Sequence, residues 1–288
     1  MAHNNLNGKI ENYIGEIPSL PVSVAKVMEI CNSTSVRPSD LNRVISLDPV
    51  LTGRLLKLIN SAYYGLGTHI TSLVKAITML GINTVKNLAL SSAILNTLPK
   101  NKMIHGLDIE GFWRHCLCVG VTSKFFAEKQ KIDTRYIEEY FTAGLLHDIG
   151  KIPLNAVLSG DYIQAVTMAG SENKTLFEEE NEKFGINHSI IGKMIAGSWK
   201  LERSVTDVIT HHHEIGGYSG DNLQIICNVA IANYFALVYE VGFSGDKKPV
   251  KPEKNIWTAV GIREDSFDIL KEKIYGEIDK AKIFLRLS

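Results

Sequence analysis

The sequence predicts an all-α protein, a multi-helix bundle that includes an N-terminal helical subdomain. Apolar residues recur at the three- and four-residue spacing of a helix face, as at Val24, Val27, Met28 and Cys31. Nothing in residues 1–100 alternates polar and apolar side chains for long enough to suggest a sheet. Residues that favour helix starts and stops stand between the apolar stripes, so each stripe can be bounded as a helix.

The first hundred residues are predicted to form short helices. Asp48, followed by Pro49, is typical of an N-cap with proline at the first helical position. Ser72 caps another short helix, which Gly81 closes, and Asn83 opens the next one. Caps of this kind predict where the N-terminal helices begin.

Two segments suggest how the chain is divided. A polar, helix-breaking run at residues 98–102, Leu-Pro-Lys-Asn-Lys, indicates a subdomain boundary. A loop rich in glycine, lysine and proline at residues 242–252 precedes a final pair of helices. The predicted parts are an N-terminal helical part at residues 1–100, a helical core at residues 101–245 and C-terminal helices at residues 246–288.

The central part is predicted to be a succession of helices. The charged run Glu178-Glu179-Glu180 is interpreted as a solvated helix face. Asp221 is interpreted as the cap of a long apolar helix, and Gly144 is expected to let a neighbouring helix approach closely. The predicted helices cover residues 109–130, 136–147 and 174–184, a segment capped by Asn187, and residues 204–213 and 221–240.

Composition excludes several classes of function. Lys plus Arg and Asp plus Glu balance at 31 each, so no net charge draws the protein to nucleic acid or to an anionic membrane, and neither is an expected partner. The four cysteines include no Cys-x-x-Cys pair and are typical of free thiols in a reducing compartment. The sequence shows no secretory signal. The apolar run at residues 225–243 carries Asn228, Asn233 and Glu240, so we expect a buried helix in a cytoplasmic protein rather than a membrane span.

An adjacent imidazole and carboxylate, His147 and Asp148, follow an apolar helical run and are typical of a metal site. A neutral imidazole with a carboxylate suits a divalent transition metal, Fe, Mn, Zn or Ni, better than Ca or Mg. Two ligands do not make a site, and the alternative interpretation is a helix end with two solvated polar residues. The metal hypothesis therefore requires further ligands from elsewhere in the chain.

Three further histidines lie on the inward faces of predicted helices, namely His115, His188 and His212. Within the run His211 to His213, only His212 continues the apolar stripe, and His213 lies at its margin. Each histidine could instead be a core residue bonded to a backbone carbonyl. Four inward imidazoles together with one carboxylate favour a metal site between facing helices.

Several short motifs follow one another along the chain. They are Ile-Pro-Ser-Leu-Pro-Val at residues 17–22, Ser-Leu-Asp-Pro at 46–49, Phe-Trp-Arg-His at 112–115, Gly-Leu-Leu-His-Asp-Ile-Gly at 144–150, Phe-Gly-Ile-Asn-His at 184–188 and Ile-Thr-His-His-His at 209–213. In this order they resemble the HDOD family, a bacterial signalling branch of the HD superfamily. The resemblance covers roughly residues 15–240 and implies an HD-like helical core.

The resemblance implies ligand positions known from metal-dependent HD phosphohydrolases and from the HD-GYP phosphodiesterases, which cleave cyclic dinucleotides. Lys151 matches the lysine that follows the His-Asp pair, whereas Asn233 stands where the distant aspartate is expected. The Gly-Tyr-Pro signature is absent. An amide oxygen has no formal charge and ligates more weakly than a carboxylate, which counts against efficient hydrolysis. The matching metal positions are His115, His147, Asp148, His188, His212 and the degenerate position Asn233.

Two functions follow from the resemblance. The first is a signal-transduction regulator that acts through contacts with signalling proteins and keeps a degenerate metal site as a structural or ligand-sensing core. The alternative is a metal-dependent phosphohydrolase or cyclic-dinucleotide phosphodiesterase that binds a phosphate or nucleotide ligand through Lys151. The change at Asn233 favours the first. DNA binding by the N-terminal half is a third hypothesis, which the lack of clustered Arg and Lys disfavours.

Overall fold

A computed structural model of the protein describes residues 2–31, 33, 35–98, 103–104, 107–171 and 174–286. Within these residues the fold is all-α, as predicted, apart from one antiparallel pair of two-residue strands, β1 (Met103–Ile104) and β2 (Leu107–Asp108). The helices are α1 (Ala2–Glu16), α2 (Val22–Cys31), α3 (Pro38–Ile45), α4 (Pro49–Ile59), α5 (Leu73–Leu80), α6 (Ile82–Thr97), α7 (Ile109–Lys129), α8 (Ile137–Leu146), α9 (Lys151–Leu158), α10 (Gly160–Ser171), α11 (Leu176–Phe184), α12 (His188–Ser198), α13 (Arg203–His211), α14 (Leu223–Val238), α15 (Lys254–Val260), α16 (Phe267–Ala281) and α17 (Ile283–Arg286).

Local capping explains two of the N-terminal helix starts, those of α4 and α5. The Asp48 carboxylate accepts a hydrogen bond of 2.9 Å from the Leu51 N–H, and the Ser72 hydroxyl accepts one from the Lys75 N–H. Asn83 is not a cap, because α6 already begins at Ile82. The sequence-based prediction also missed α1, α9 and α10, and α1 packs against α9 and α12.

The first 98 residues contact the central helices through α1, through α6 and through two tyrosines that follow α4. The Tyr64 hydroxyl donates a hydrogen bond of 2.8 Å to Glu138 on α8, and the Tyr63 ring contacts Phe141 on the same helix. Pro99 to Lys102, where a subdomain boundary is predicted, lie outside the described residues. The division of the chain at residues 100 and 245 therefore remains a prediction.

Two glycines bring α7 and α8 into close contact at the centre of the molecule. A Cβ atom added at Gly144 of α8 would lie 2.8 Å from the Cα of Gly120 on α7, and one at Gly120 would lie 2.7 Å from the carbonyl oxygen of Phe141. Only glycine permits backbones to approach this closely. The expected role of Gly144 is confirmed, and the contact sets the distance between His115 on α7 and His147 directly after α8.

The start of α14 differs from the prediction. The helix begins at Leu223, so Asp221 is not its cap. Asn222 is instead held from outside the helix, because its amide donates a hydrogen bond of 2.9 Å to Asp207 and its N–H donates one of 3.1 Å to the Tyr218 hydroxyl. Tertiary hydrogen bonds therefore replace the local cap that the sequence suggested.

The C-terminal helices pack against the centre through aromatic rings. Phe267 at the start of α16 stacks on Phe126 of α7 with 6.2 Å between ring centroids and meets Phe235 of α14 edge-on at 5.0 Å. Among the described residues, no helix is both long and apolar enough to cross a membrane. All four cysteines are free thiols.

Replacing Gly144 with alanine is expected to lower the free energy of unfolding by about 1–3 kcal/mol, as overpacking in a core does. The physical reason is the 2.8 Å approach of the new Cβ to Gly120. Urea-induced unfolding followed by circular dichroism measures the change. Gly197 near the end of α12 is the matched control, because its added Cβ meets no heavy atom within 4 Å. Gly197→Ala is expected to raise the free energy of unfolding by about 0.4–1 kcal/mol, and equal effects of the two variants would contradict the close packing of α7 and α8.

Candidate metal centre

The five histidine and aspartate residues singled out in the sequence lie together in the interior. His115 comes from the middle of α7, His147 and Asp148 follow α8, His188 begins α12 and His212 follows α13. All five are buried. The segments converge because Gly150 and Gly192 allow the backbone after Asp148 to touch the first turn of α12, where a Cβ on Gly150 would overlap the carbonyl oxygen of His188.

Two of the imidazoles are oriented by backbone carbonyls. His147 Nδ1 lies 2.8 Å from the Gly144 carbonyl oxygen, and His212 Nδ1 lies 3.0 Å from that of Val208. A carbonyl oxygen can only accept, so Nδ1 carries the proton in both rings and Nε2 presents a lone pair. Neither Nε2 atom has a hydrogen-bond partner among the described residues.

His188 is oriented by a buried carboxylate. Its Nδ1 lies 2.6 Å from Glu180 Oε2, which also accepts a hydrogen bond of 2.8 Å from the His188 N–H. The other oxygen of Glu180 accepts a hydrogen bond of 2.6 Å from the Tyr162 hydroxyl. A carboxylate behind an imidazole is the usual arrangement for a metal-binding histidine, because it sets the tautomer and raises the basicity of the other nitrogen.

Asp148 stands between the two groups of imidazoles. Its Oδ2 lies 3.3 Å from His147 Nε2, and its Oδ1 lies 3.3 Å from His188 Nε2 and 3.5 Å from His212 Nε2. Within the part of the chain that is described, Oδ1 receives no hydrogen bond although it is buried. A fully buried carboxylate oxygen without a donor, facing imidazole lone pairs, is the chemistry expected where a cation binds.

His213 is a further candidate ligand. Its Nε2 lies 3.1 Å from that of His188, and its ring stacks on Phe177 with 4.6 Å between centroids. Sequence reasoning assigned it to the margin of a helical stripe. Helical phase does not apply there, because α13 ends at His211 and the chain bends after it.

Ligand atoms form two groups in which all members lie within 4.8 Å of one another. Asp148 belongs to both groups and could bridge two ions. One group consists of His115, His147 and Asp148, and the other of Asp148, His188, His212 and His213.

Burial penalises the charged form of three of the imidazoles, those of His115, His212 and His213. Burial lowers the pKa of His115 to about 3 and that of His212 to about 4, and it lowers the pKa of His213 well below its ordinary value. Burial opposes ionisation of Asp148, but the neighbouring His147 and Lys151 outweigh it and hold the carboxyl pKa well below its usual range. Neutral imidazoles around an ionised carboxylate are the donor set that a divalent transition metal requires, so the residues fit such an ion.

Asn233, the degenerate position, lies against His115. Its side-chain oxygen is 2.9 Å from His115 Nε2. An amide can either accept a hydrogen bond from an imidazole nitrogen or donate one to it, whereas a carboxylate can only accept a hydrogen bond. The hydrogen bond between His115 and Asn233 therefore occupies two side chains that would otherwise both face an ion held by His115, His147 and Asp148. We call the place of such an ion the first metal position.

Lys151 is buried beside the centre rather than open to solvent. Its ammonium group lies 2.7 Å from Asp148 Oδ2 and 3.1 Å from Asp246 Oδ2. Burial works against the charged form, but the two carboxylates outweigh it and raise the pKa of Lys151.

Sequence reasoning missed two carboxylates. Glu180 belongs to the run interpreted as a solvated face, but Glu179 and Glu180 are buried, so this interpretation was wrong for both. The sequence holds one signal for Glu180, which is its position a few residues before Asn187 and His188. Gly185 lies between them, where α11 ends and the chain turns back. Asp246 lies in a loop far from the motifs, and no local pattern marks it.

A cleft of about 560 Å³ opens next to the second group of ligands. His212, His213 and Asn233 form its inner end, and Tyr234 lies further along its wall. The centre is thus reachable by a small ligand, although its histidines are largely buried.

Comparison with known proteins identifies the class. The chain matches the HDOD domain family over residues 17–215, and it belongs to that family. An uncharacterized protein of Treponema pallidum (strain Nichols) is 25% identical over 230 residues, which are 79% of this chain. The chain spans only 44% of the length of that relative.

Solved structures share the fold. An HDOD domain protein of Geobacter sulfurreducens is 24% identical, with a TM-score of 0.76 and coverage of 99% of both chains. A protein of Shewanella amazonensis SB2B named "Putative phosphohydrolase" is 22% identical, with a TM-score of 0.70 and coverage of 96% of this chain and 98% of its own. A protein of Marinobacter aquaeolei VT8 named "Putative signal transduction protein" is 16% identical, with a TM-score of 0.72 and coverage of 100% of this chain and 66% of its own. At these identities the similarity establishes the fold.

Replacing Glu180 with glutamine is expected to lower the free energy of unfolding by about 1–3 kcal/mol, because one buried acceptor is lost and a donor is left unpaired. The two oxygens of the carboxylate accept hydrogen bonds from Tyr162 and from two nitrogens of His188. In an amide only the oxygen can accept, so the NH2 group would face a donor on one of the two sides. Chemical denaturation measures the loss. Glu182→Gln on the same helix is the control, because that side chain is 61% exposed and forms a surface ion pair with Lys174. A loss no larger than that of the control would show that Glu180 does not support His188.

Proposed function

We propose that this protein is a non-catalytic regulatory module of a bacterial signalling system, acting in the cytoplasm through contacts with other proteins. Its buried centre is proposed to bind a divalent transition metal as a structural or ligand-sensing element. Membership of the HDOD family supports the signalling role. The name given to the Marinobacter aquaeolei protein, which refers to signal transduction, agrees with it.

The contact between His115 and Asn233 carries the proposal. The two side chains are 2.9 Å apart and bond to each other inside the protein. A hydrolytic centre needs an ion with an open, correctly placed position and enough anionic ligands to hold it. With a neutral amide in place of a carboxylate, the group of His115, His147 and Asp148 retains a single negative charge. The first metal position is therefore weakened.

The second group supports retention of one ion. The imidazoles that surround Asp148 in this group are those of His188, His212 and His213. The group does not include Asn233. Such a set can keep an ion even where the chemistry has been lost. A bound ion would then stabilise the folded state in which its ligands lie together, as any ligand that prefers the native state does.

Metal-dependent phosphohydrolase or cyclic-dinucleotide phosphodiesterase activity is the second candidate. The cleft that reaches His212 and His213 favours it, because a substrate phosphate could approach the ions from that side. The Shewanella amazonensis protein is named for phosphohydrolase activity, which agrees with this candidate.

Metal analysis followed by turnover measurements separates the two functions. The protein purified without chelators is expected to retain a divalent transition metal and to show no turnover of cyclic di-GMP or a generic phosphodiester with added Mn or Fe. His212→Ala is expected to lower the metal content, because His212 belongs to the second group and its buried Nε2 has no hydrogen-bond partner among the described residues. His147→Ala is the variant for the turnover assay, since His147 belongs to the first group. His69→Ala is the control, since His69 is exposed and far from the centre in the chain. Turnover that His147→Ala abolishes and His69→Ala preserves would establish the enzyme, and absence of any bound metal would contradict the proposed centre.

Replacing Asn233 with aspartate is expected to increase divalent-metal affinity about tenfold, equivalent to about 1.4 kcal/mol. The new carboxylate adds a negative charge next to His115 and can accept a hydrogen bond from that ring as the Asn233 oxygen does. Isothermal titration with Mn measures the affinity. Asn255→Asp adds the same charge to the exposed wall of the cleft and is expected to have little effect. Equal affinity in wild type and Asn233→Asp would mean that Asn233 does not face the metal position.

A further inference from the structure

A loop that we term the strap, residues 242–252, crosses the candidate metal centre. Its N-terminal end is fixed where the Phe243 N–H donates a hydrogen bond of 2.9 Å to the Gly111 carbonyl oxygen of α7. Gly242 has a φ of +74° and lies directly against the backbone of His115. Gly245, with a φ of +100°, lies against Leu176 at the start of α11. The strap is therefore seated on both α7 and α11, with two turns that only glycine readily adopts.

Asp246 on the strap uses both oxygens of its carboxylate. Oδ1 accepts a hydrogen bond of 2.7 Å from the Leu176 N–H, and Oδ2 lies 3.1 Å from Lys151 Nζ. Asp246 is 8% exposed and Lys151 is 1% exposed, so the ion pair is shielded from water. The side chain is thus held in place by a backbone donor and aimed at the lysine.

The two neighbouring carboxylates neutralise the charge of Lys151, which disfavours the binding of an outside anion. One ammonium group faces two carboxylates, Asp148 on one side and Asp246 on the other. An incoming phosphate would have to displace Asp246 or bring further negative charge to a buried site, which is costly without a compensating cation. Asp246 therefore competes with an incoming phosphate for the ammonium group of Lys151.

We infer that Asp246 is a specificity-determining residue, which keeps phosphate-bearing ligands away from Lys151 and reserves the centre for cations. This inference rests on the function proposed above, since it supplies a second reason why the centre would not turn over a phosphodiester. Asp246 lies outside residues 17–215, which match the family, so the exclusion is supplied by the part of this chain that follows the shared domain.

The strap also forms one wall of the cleft. Asp246, Lys248, Val250 and Pro252 line it opposite His212 and His213. Asp246 is one of the residues that line the cleft, whereas Lys151 is not among them and is 1% exposed. Neutralising this one carboxylate should therefore open the lysine to a phosphate without any change in the histidines.

Binding of inorganic phosphate tests the inference, measured by isothermal titration at constant ionic strength with a chelator present. Asp246→Asn is expected to bind phosphate at least about tenfold more tightly than wild type. The asparagine can still accept the hydrogen bond from Leu176, so the strap remains seated. Asp246→Ser is the second variant, which removes the charge with a smaller side chain. Glu253→Gln removes an exposed negative charge from the same cleft and is expected to leave phosphate binding unchanged.

Two further measurements assign any gain to the lysine. The double variant Asp246→Asn, Lys151→Met is expected to lose the gain, and Lys151→Met alone is expected to bind phosphate as weakly as wild type. A folded Asp246 variant without the gain, a gain that survives loss of Lys151, or weaker phosphate binding by Lys151→Met than by wild type would each overturn the inference. Because the chelator removes metal, these outcomes do not depend on whether the centre binds an ion or whether wild type turns over a substrate.

Discussion

The ionised carboxylate of Asp148 is the group around which this part of the molecule is organised. An isolated buried carboxylate is strongly unfavourable, so the surrounding structure must supply compensation. Lys151 provides a full charge 2.7 Å from Oδ2, whereas Oδ1 faces the imidazoles of His188 and His212 and receives no hydrogen bond from the described residues. These groups come from α9, α12 and α13 and from the end of α8, so the helices can only pack as they do while this charge is balanced. The close approach of α7 and α8 at Gly120 and Gly144 follows from the same requirement, because it carries His115 and His147 to the cluster.

The balance of charge at the centre favours a cation over an anion. Two carboxylates, Asp148 and Asp246, contact a single lysine, and a third, Glu180, lies behind His188. Burial disfavours the charged form of the His115 and His212 imidazoles. Such a centre attracts a divalent ion and repels phosphate unless an ion is already bound. The neutral amide of Asn233 adds no negative charge beside His115, and the Asp246 carboxylate adds one beside Lys151. Both features agree with the proposal of a centre that binds a cation without turning over a phosphodiester.

The sequence predicted features that depend on neighbours in the chain, and it failed where distant segments meet. Asp48, Ser72 and Asn187 were correctly identified as caps because each bonds within the first turn of its own helix. Glu180 was misinterpreted because its burial depends on Tyr162 and His188, which lie on other helices. His213 was missed because its direction is set after α13 ends, where helical periodicity no longer applies. The inward-facing histidines could be predicted, because the position of a residue on a helix face depends only on its neighbours in the chain. The side chains that bond to these histidines from other helices could not be predicted in the same way.

The position of Asp246 separates what the HDOD domain supplies from what this chain adds. The histidines, Asp148 and Lys151 all lie within residues 17–215, whereas Asn233 and Asp246 lie beyond them. The matched segment therefore contains the donors that could hold an ion, and the two residues on which the proposed loss of phosphate chemistry depends follow it. On the strap, the Asp246 side chain binds Lys151 and the Leu176 N–H. Substitutions on this strap could thus alter which ligands the centre admits while the buried ligand set, and the packing that depends on Asp148, stays the same.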